Sequence, residues 1–333
     1  MKVLISGAFW HGSLEESYAR AFETIGWKVT RFDWEQISRA HPLSQMAFAD
    51  KILRYSIADR TGKWLTSAIE DTKPDLVFVI KGSRVAPETL MNAKKILGNR
   101  LLVNFNPDSP WDEANKTKRI VESIPVYDAH FTWNKQLTDS FIQAGAKSLH
   151  YLPFAYDSVL HQSLRMEESE VKYDAVFVGT YSEERDKLLG TLESCDIRIV
   201  GNGWLKSKHV RREWISPKAL YGENAVRIMA LGACSINILR PQNIASHNMR
   251  TFEIPASARA MLTTRSEEQS NFFEEGKEME CFDGPEELLE KILLFKNSKH
   301  HKVIVSDNGY QRVRGETYEK RARTMLELIG FPA

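Results

Sequence analysis

The sequence predicts an α/β protein built from two Rossmann-like domains facing a central cleft. Three observations predict it. Short, near-continuous apolar runs, suited to strands covered on both faces, alternate with helical patterns. Those runs close on Gly or on an Asn/Pro/Asp turn. The strand–Gly–helix–strand opening at residue 3 starts again near residue 172. A length of 333 residues fits two domains at about 150 residues each.

Residues 3–7 (VLISG) read as a buried strand closed by Gly7. Leu14, Tyr18, Ala21, Phe22 and Ile25 then recur at helical spacing, and Gly26 stops that helix. Residues 28–33 alternate as a second strand, and 75–80 (DLVFVI), 100–105 (RLLVNF), 129–133 (AHFTW) and 148–154 (SLHYLPF) supply four more. The polar stretch 165–172 (RMEESEVK) reads as a linker. The second opening has a strand at 173–178 ending in Gly179, a helical segment through Leu192, and a strand at 197–200 ending in Gly201-Asn202-Gly203. A further strand covers 234–239. Residues 311–329 read as one charged helix with Val313, Tyr318, Ala322, Met325, Leu326 and Ile329 as its apolar positions. The expected division is 1–165 for an N-terminal, acceptor-side domain, 172–310 for a C-terminal domain, and 311–333 for a helix long enough to cross back. Doubly wound sheets bind ligands beyond the carboxyl ends of their strands, so the loops after these strands are where chemistry is sought.

Composition removes several classes. A net charge of +1 gives no global field toward nucleic acid or anionic lipid. Cys195, Cys234 and Cys281 are isolated, which argues against a disulfide framework or a thiolate metal site. No apolar run reaches the roughly 18 residues of a membrane span, and the first apolar run is too short for a signal peptide, so a cytoplasmic location is expected. GAFWHGS at 7–13 has the glycine spacing of a phosphate-binding P-loop, but the Lys before the Ser is missing and His11 precedes Gly12, and no GxGxxG follows a strand.

The loops offer these candidates. Trp10 could stack on a planar group and His11 could act as acid or base, or they are an edge aromatic and a solvated imidazole. Asp108, between Pro107 and Pro110, is either a rigidly held acid/base group or a turn cap. Gly179, Thr180 and Tyr181 end a strand, with Arg185 one turn into the next helix, in reach of a phosphate. Asn202 lies between two glycines, and Trp204 beside them offers a face to a base. Most informative is the run HNMRTFE at 247–253. His247 and Asn248 precede a helix start, Arg250 brings a positive charge, and Thr251 and Glu253 follow within a turn. The same residues could be no more than a helix start with an Arg250–Glu253 pair three apart.

The runs MRTFEIPA at 249–256, MLTT at 261–264, FFEEG at 272–276 and FDGPEEL at 282–288, with Thr317, Tyr318 and Arg321, resemble the group 1 glycosyltransferase domain of CgeB-like (spore maturation protein B-like) proteins. The resemblance covers about 173–329, and NPDSP at 106–110 extends it loosely into the first half. Ser257-Ala258-Arg259-Ala260 stands where the family often has Gly, and Glu316 where it often has His. The resemblance implies a GT-B fold and a metal-independent transfer from a nucleotide-diphosphate sugar, UDP-sugar favoured, with no other cofactor. It places Glu253 on the ribose hydroxyls, Arg250 with His247 and Asn248 on the diphosphate, Gly179 and Thr180 along the sugar-phosphate, and Trp204 or its neighbours toward the base. Tyr221 and Asn237 are weaker candidates in the same domain. The acceptor, a glycan, protein, small molecule or nucleic acid, is expected on the first domain, with Asp108 and His11 as the catalytic candidates. His300 and His301 sit in a charged stretch and read as solvated. Alternatives are a nucleotide-sugar epimerase of the same fold, a nucleic-acid-modifying sugar transferase using Lys94, Lys95, Arg100, Lys116, Lys118 and Arg119, and a sugar-nucleotide-binding protein without turnover.

Overall fold

A computed structural model describes residues 1–39, 49–112, 117–162, 171–243 and 245–331, with only the backbone at 37–39 and 49–60. The linker expected at 165–172 falls, up to residue 170, outside the described residues, as does Lys116. The chain packs as two units, Met1–Pro153 with Tyr318–Ala333, and Phe154–Thr317.

The first unit carries six parallel strands: β1 (Lys2–Gly7), β2 (Lys28–Asp33), β3 (Leu76–Ile80), β4 (Leu101–Phe105), β5 (Ala129–Thr132) and β6 (Leu149–Tyr151). Their order is β2-β1-β3-β4-β5-β6, and Ile5 pairs with Arg31 on one side and Phe78 on the other. The apolar runs that predicted β1 and β3 are buried because helices cover both faces. Helices α1 (Leu14–Thr24), α2 (Trp34–Arg39), α3 (Ala49–Thr72), α4 (Pro87–Leu97), α5 (Lys118–Ser123) and α6 (Thr138–Gln143) connect them. Ser13 caps α1 by accepting from the Glu16 backbone N–H at 3.2 Å. The helix then buries Tyr18 and Phe22, with Tyr18 edge-on to Phe78 at 5.1 Å between ring centres. Each such aromatic stabilises the unit by about 1.5–3 kcal/mol. Strand β6 is shorter than the apolar run 148–154, since Pro153 has no N–H for a ladder.

The second unit has five parallel strands: β7 (Tyr173–Val178), β8 (Ile197–Val200), β9 (Gly232–Asn237), β10 (Met261–Thr264) and β11 (Glu280–Phe282), in the order β11-β10-β9-β7-β8. Its helices are α7 (Glu183–Gly190), α8 (Glu223–Met229), α9 (Arg250–Ala256), α10 (Glu267–Phe272), α11 (Pro285–Asn297) and α12 (Lys299–Val313). Phe177, Ile199, Trp204, Ile236, Leu262, Phe282 and Phe295 share its core. Each sheet has one place where successive strands leave in opposite directions: between β1 and β3 in the first unit, between β7 and β9 in the second. Parallel sheets open a ligand crevice at such a point.

The single helix expected over 311–329 is two. Helix α12 ends at Val313, Gly315 takes φ +87°, and α13 (Tyr318–Leu328) follows. A left-handed glycine past the last turn terminates a helix. Helix α13 packs with the first unit, where Tyr318 lies 5.0 Å from Tyr18 and Arg321 Nε donates to the Pro153 carbonyl at 2.9 Å. His301 is not a solvated side chain as expected: its Nε2 lies 2.7 Å from Glu280 Oε1 and its ring stacks on Phe295, because α12 packs beside β11. Among the described residues no helix is long and apolar enough to cross a membrane.

Candidate functional site

The loops after β7 and β8 nearly touch along their backbones. The Gly179 N–H donates to the Val200 carbonyl at 2.8 Å. A Cβ on Gly201, at φ +155°, would lie 2.0 Å from the Gly179 oxygen, so only glycine fits there. Ser182 caps α7 through the Arg185 N–H, and the Arg185 side chain folds back over the loops. Its Nη1 donates to the Thr180 carbonyl at 2.9 Å and its Nη2 to the Ile238 carbonyl at 2.5 Å. One buried arginine therefore ties the loop after β7 to the loop after β9. Its guanidinium carbon sits 5.3 Å from the centre of the Phe177 ring, and its buried Nε has no hydrogen-bond partner.

Burial, and after it the positive charges of Arg240 and Arg250, lower the Arg185 pKa to about 10. The group is still charged at neutral pH. Like charges that act on one another in this way are relieved by an anion placed among them.

Arg250 opens α9. Its Nε donates to the Val178 carbonyl at 3.2 Å, and its Nη1 pairs with Glu253 Oε2. The pair three apart that the sequence allowed is thus formed. The Glu253 side chain is nearly buried, and its Oε1 lies 3.7 Å from His161 Nε2. His161 Nδ1 accepts from the Asp157 N–H at 3.1 Å, which assigns the ring proton to Nε2, facing Glu253. Asn248 braces the approach to α9: its Nδ2 donates to Asn237 Oδ1 at 2.8 Å, and its Oδ1 accepts from the Thr251 N–H at 3.2 Å.

Three expected contacts are corrected. Trp204 offers no face to a base: it is 1% exposed, donates from Nε1 to the Gly179 carbonyl at 2.7 Å and packs edge-on against Phe177 and Tyr181. The His247 side chain is fully buried and engaged within the unit. Its Nε2 accepts from the Phe154 N–H at 3.0 Å, and its Nδ1 lies 2.8 Å from Glu268 Oε2. Thr251 also turns inward, donating to Gln269 Oε1 at 3.0 Å. In each case a side chain that the sequence suggested for a ligand packs inside the unit, and its polar atom satisfies a buried group of the protein. Tyr181 stays half-buried at the crevice, its N–H on the Asn202 carbonyl, and Asn202 Nδ2 donates to the Tyr221 hydroxyl at 2.7 Å.

In the first unit, His11 is exposed on the loop after β1, beside the half-exposed Trp10. Asp108 is ion-paired: Lys81 Nζ lies 2.7 Å from its Oδ2. Sequence reasoning missed Arg240, His161, Lys81 and Glu15. Arg240 follows a strand of the expected kind, a position that could have marked it. Glu15 reads as an ordinary first-turn acid, yet it is buried, and burial pushes its carboxyl pKa from the ordinary value near 4.5 up to about 7.

Residues 185–327 match the model of the glycosyl transferase-like family. No curated protein sequence matches the chain. Among solved structures, it is similar to Anabaena HepE in complex with UDP-glucose, at 13% identity and TM-score 0.65, covering 99% of each chain. Sucrose-phosphate synthase from Thermosynechococcus elongatus is 10% identical with TM-score 0.71, covering 98% of each chain. The T4 phage glucosyltransferase BGT in complex with UDP-glucose is 13% identical with TM-score 0.61, covering 99% of this chain and 100% of that one. At these identities the likeness is one of fold: two parallel-sheet α/β domains, as in GT-B glycosyltransferases.

Proposed function

We propose that this protein is a glycosyltransferase that moves a sugar, UDP-sugar favoured as donor, to an acceptor hydroxyl, and that the Phe154–Thr317 unit binds the donor. The observation that carries the reading is that Arg185 and Arg250 both reach the backbone at the ends of β7 and β9, with the charge of Arg240 acting on Arg185 and with Glu253 paired to Arg250. A diphosphate is the ligand this charge pattern suits. Arg250 and Arg240 hold its oxygens, while Arg185 keeps the two loops in register and adds its field. Gly179, Thr180 and Asn248 line the crevice between β7 and β9. When the nucleotide binds, Arg250 exchanges Glu253 for phosphate, and Glu253 accepts from the ribose hydroxyls, oriented by His161. The arginines then stabilise the charge that grows on the leaving diphosphate, which is electrostatic catalysis without a metal. The family match over 185–327 spans all three arginines, and structural neighbours carry UDP or UDP-glucose; both support the reading. Membership of the CgeB-like subgroup is part of the same proposal.

The test is calorimetric titration of UDP into the wild type, Arg240→Met and Glu253→Ala. Loss of one charge-assisted contact costs about 1.5–3 kcal/mol, so each variant should bind about tenfold to a hundredfold more weakly. Wild-type affinity in both variants would sink the assignment of these residues.

A further inference from the structure

The net charge of +1 conceals a local excess in the Phe154–Thr317 unit. Residues 205–212 (LKSKHVRR), in the loop after β8, carry Lys206, Lys208, Arg211 and Arg212 with His209 among them and no acid. All five of these side chains are exposed. Leu205, at the head of the run, is 67% exposed, more than any other large apolar side chain among the described residues. Glu213, the single acid of 205–218, is balanced in number by Lys218.

The loop is held firmly from beneath. Asp186, fully buried on α7, accepts from the Ser207 hydroxyl at 2.6 Å and from the Lys208 N–H at 3.0 Å. Trp204 and Trp214, on either side of the run, sit in the core, and Val210 packs against the same core. Arg211 lies over the Trp214 ring at 5.2 Å and donates from Nη2 to the Glu193 carbonyl at 2.7 Å. Arg212 Nη1 donates to the Leu205 carbonyl at 3.1 Å. A carbonyl partner leaves the guanidinium charge uncancelled. On the neighbouring helix, Asp186 turns inward and Glu183 is paired with Lys187 at 2.7 Å. Solvent therefore meets a fixed basic surface with one apolar side chain standing out of it.

We propose that this loop docks the protein onto an anionic lipid surface, with Lys206, Lys208, Arg211 and Arg212 on headgroup phosphates and Leu205 entering the boundary below them. Basic side chains gather at a negatively charged bilayer face, and an apolar residue among them adds burial at headgroup depth. The long stems of lysine and arginine keep the charges in the headgroup layer while Leu205 goes deeper. Nucleic acid suits the surface less. The tryptophans that could stack on bases are buried, and a phosphate backbone gains nothing from Leu205. Docking requires no bound donor, so its test stands apart from that of the donor site.

The experiment is flotation of the full chain with vesicles of phosphatidylcholine alone or with about 30% phosphatidylglycerol, at about 50 mM and about 300 mM salt. Wild type should float with the anionic vesicles at low salt, be released by the higher salt, and ignore the neutral vesicles. Each basic side chain near such a surface contributes about fivefold to binding, so replacing Lys206→Ala and Lys208→Ala together should weaken it about 25-fold. Leu205→Ser should lose roughly tenfold. These side chains are exposed, and Lys208 is anchored through its N–H, so urea unfolding should not change. Duplex DNA of about 20 base pairs is titrated in parallel. No binding of wild type to the anionic vesicles would overturn the proposal, as would vesicle binding that either variant leaves within about twofold. Binding to the duplex that is tighter than to the vesicles, and weakened by the lysine replacements, would overturn it in favour of nucleic acid.

Discussion

Glu15→Gln is a perturbation whose effect on folding follows from burial alone. In the unfolded chain the carboxyl ionises near 4.5; in the folded chain burial raises that to about 7, against the opposing pull of the Ala8 N–H, Ser13 and Lys81. Below about pH 4 both states hold the proton, and the residue carries no ionisation cost. Between 4.5 and 7 the folded state keeps a proton that the unfolded state has released, so wild-type stability falls as pH rises. Above 7 the full cost is present, about 3 kcal/mol at 1.36 kcal/mol for each tenfold in the proton equilibrium. Glutamine has the same shape, still accepts from the Ala8 N–H, and never ionises. The variant should match wild type at pH 4 and exceed it by about 2–3 kcal/mol at pH 8, read as the difference in urea unfolding free energy at the two pH values. A difference that does not change with pH, or a variant less stable than wild type at pH 8, would refute the reasoning.

Two further variants test the corrected parts of the donor unit. Trp204→Phe removes the indole N–H from the Gly179 carbonyl and leaves a small void; unfolding should become easier by about 1–3 kcal/mol while UDP affinity stays within about threefold. A large affinity loss with unchanged stability would instead return Trp204 to the base. His247→Ala strips a buried partner from both Glu268 and the Phe154 N–H and should cost about 2–4 kcal/mol in urea unfolding. A loss below about 0.5 kcal/mol would contradict that role.

Much of the scaffold is legible in the sequence because its strands are buried on both faces. LVFVI in β3 and AVFV at 175–178 in β7 are apolar without alternation, and a covered parallel strand of that length suits them. The short strand β11 was not legible, since ECF carries no periodic signal of its own. Gly315 was visible but its left-handed φ was not, so one expected helix became two. The site was less legible than the scaffold for a related reason. Whether Trp204 or His247 faces a ligand depends on which backbone groups the folded loops leave in need of a partner, and those groups come from Gly179 and Phe154, distant in sequence. Glu15 shows the reverse. On a helix wheel it is a first-turn acid like Glu16, and only the missing side chain at Gly7 lets it turn inward.

Whether the Phe154–Thr317 unit holds a nucleoside diphosphate on Arg185, Arg240 and Arg250, as proposed, is read out by thermal shift. The melting transition is followed with UDP, UDP-glucose, GDP, ADP and uridine. A ligand at 100 times its dissociation constant stabilises the folded state by about 2.7 kcal/mol, roughly 5–11 °C for domains of this size. UDP and UDP-glucose should give a saturable rise, uridine, which lacks the diphosphate, a much smaller one, and Arg240→Met should lose the rise. No rise with any nucleoside diphosphate, or an equal rise with uridine, would contradict the proposal.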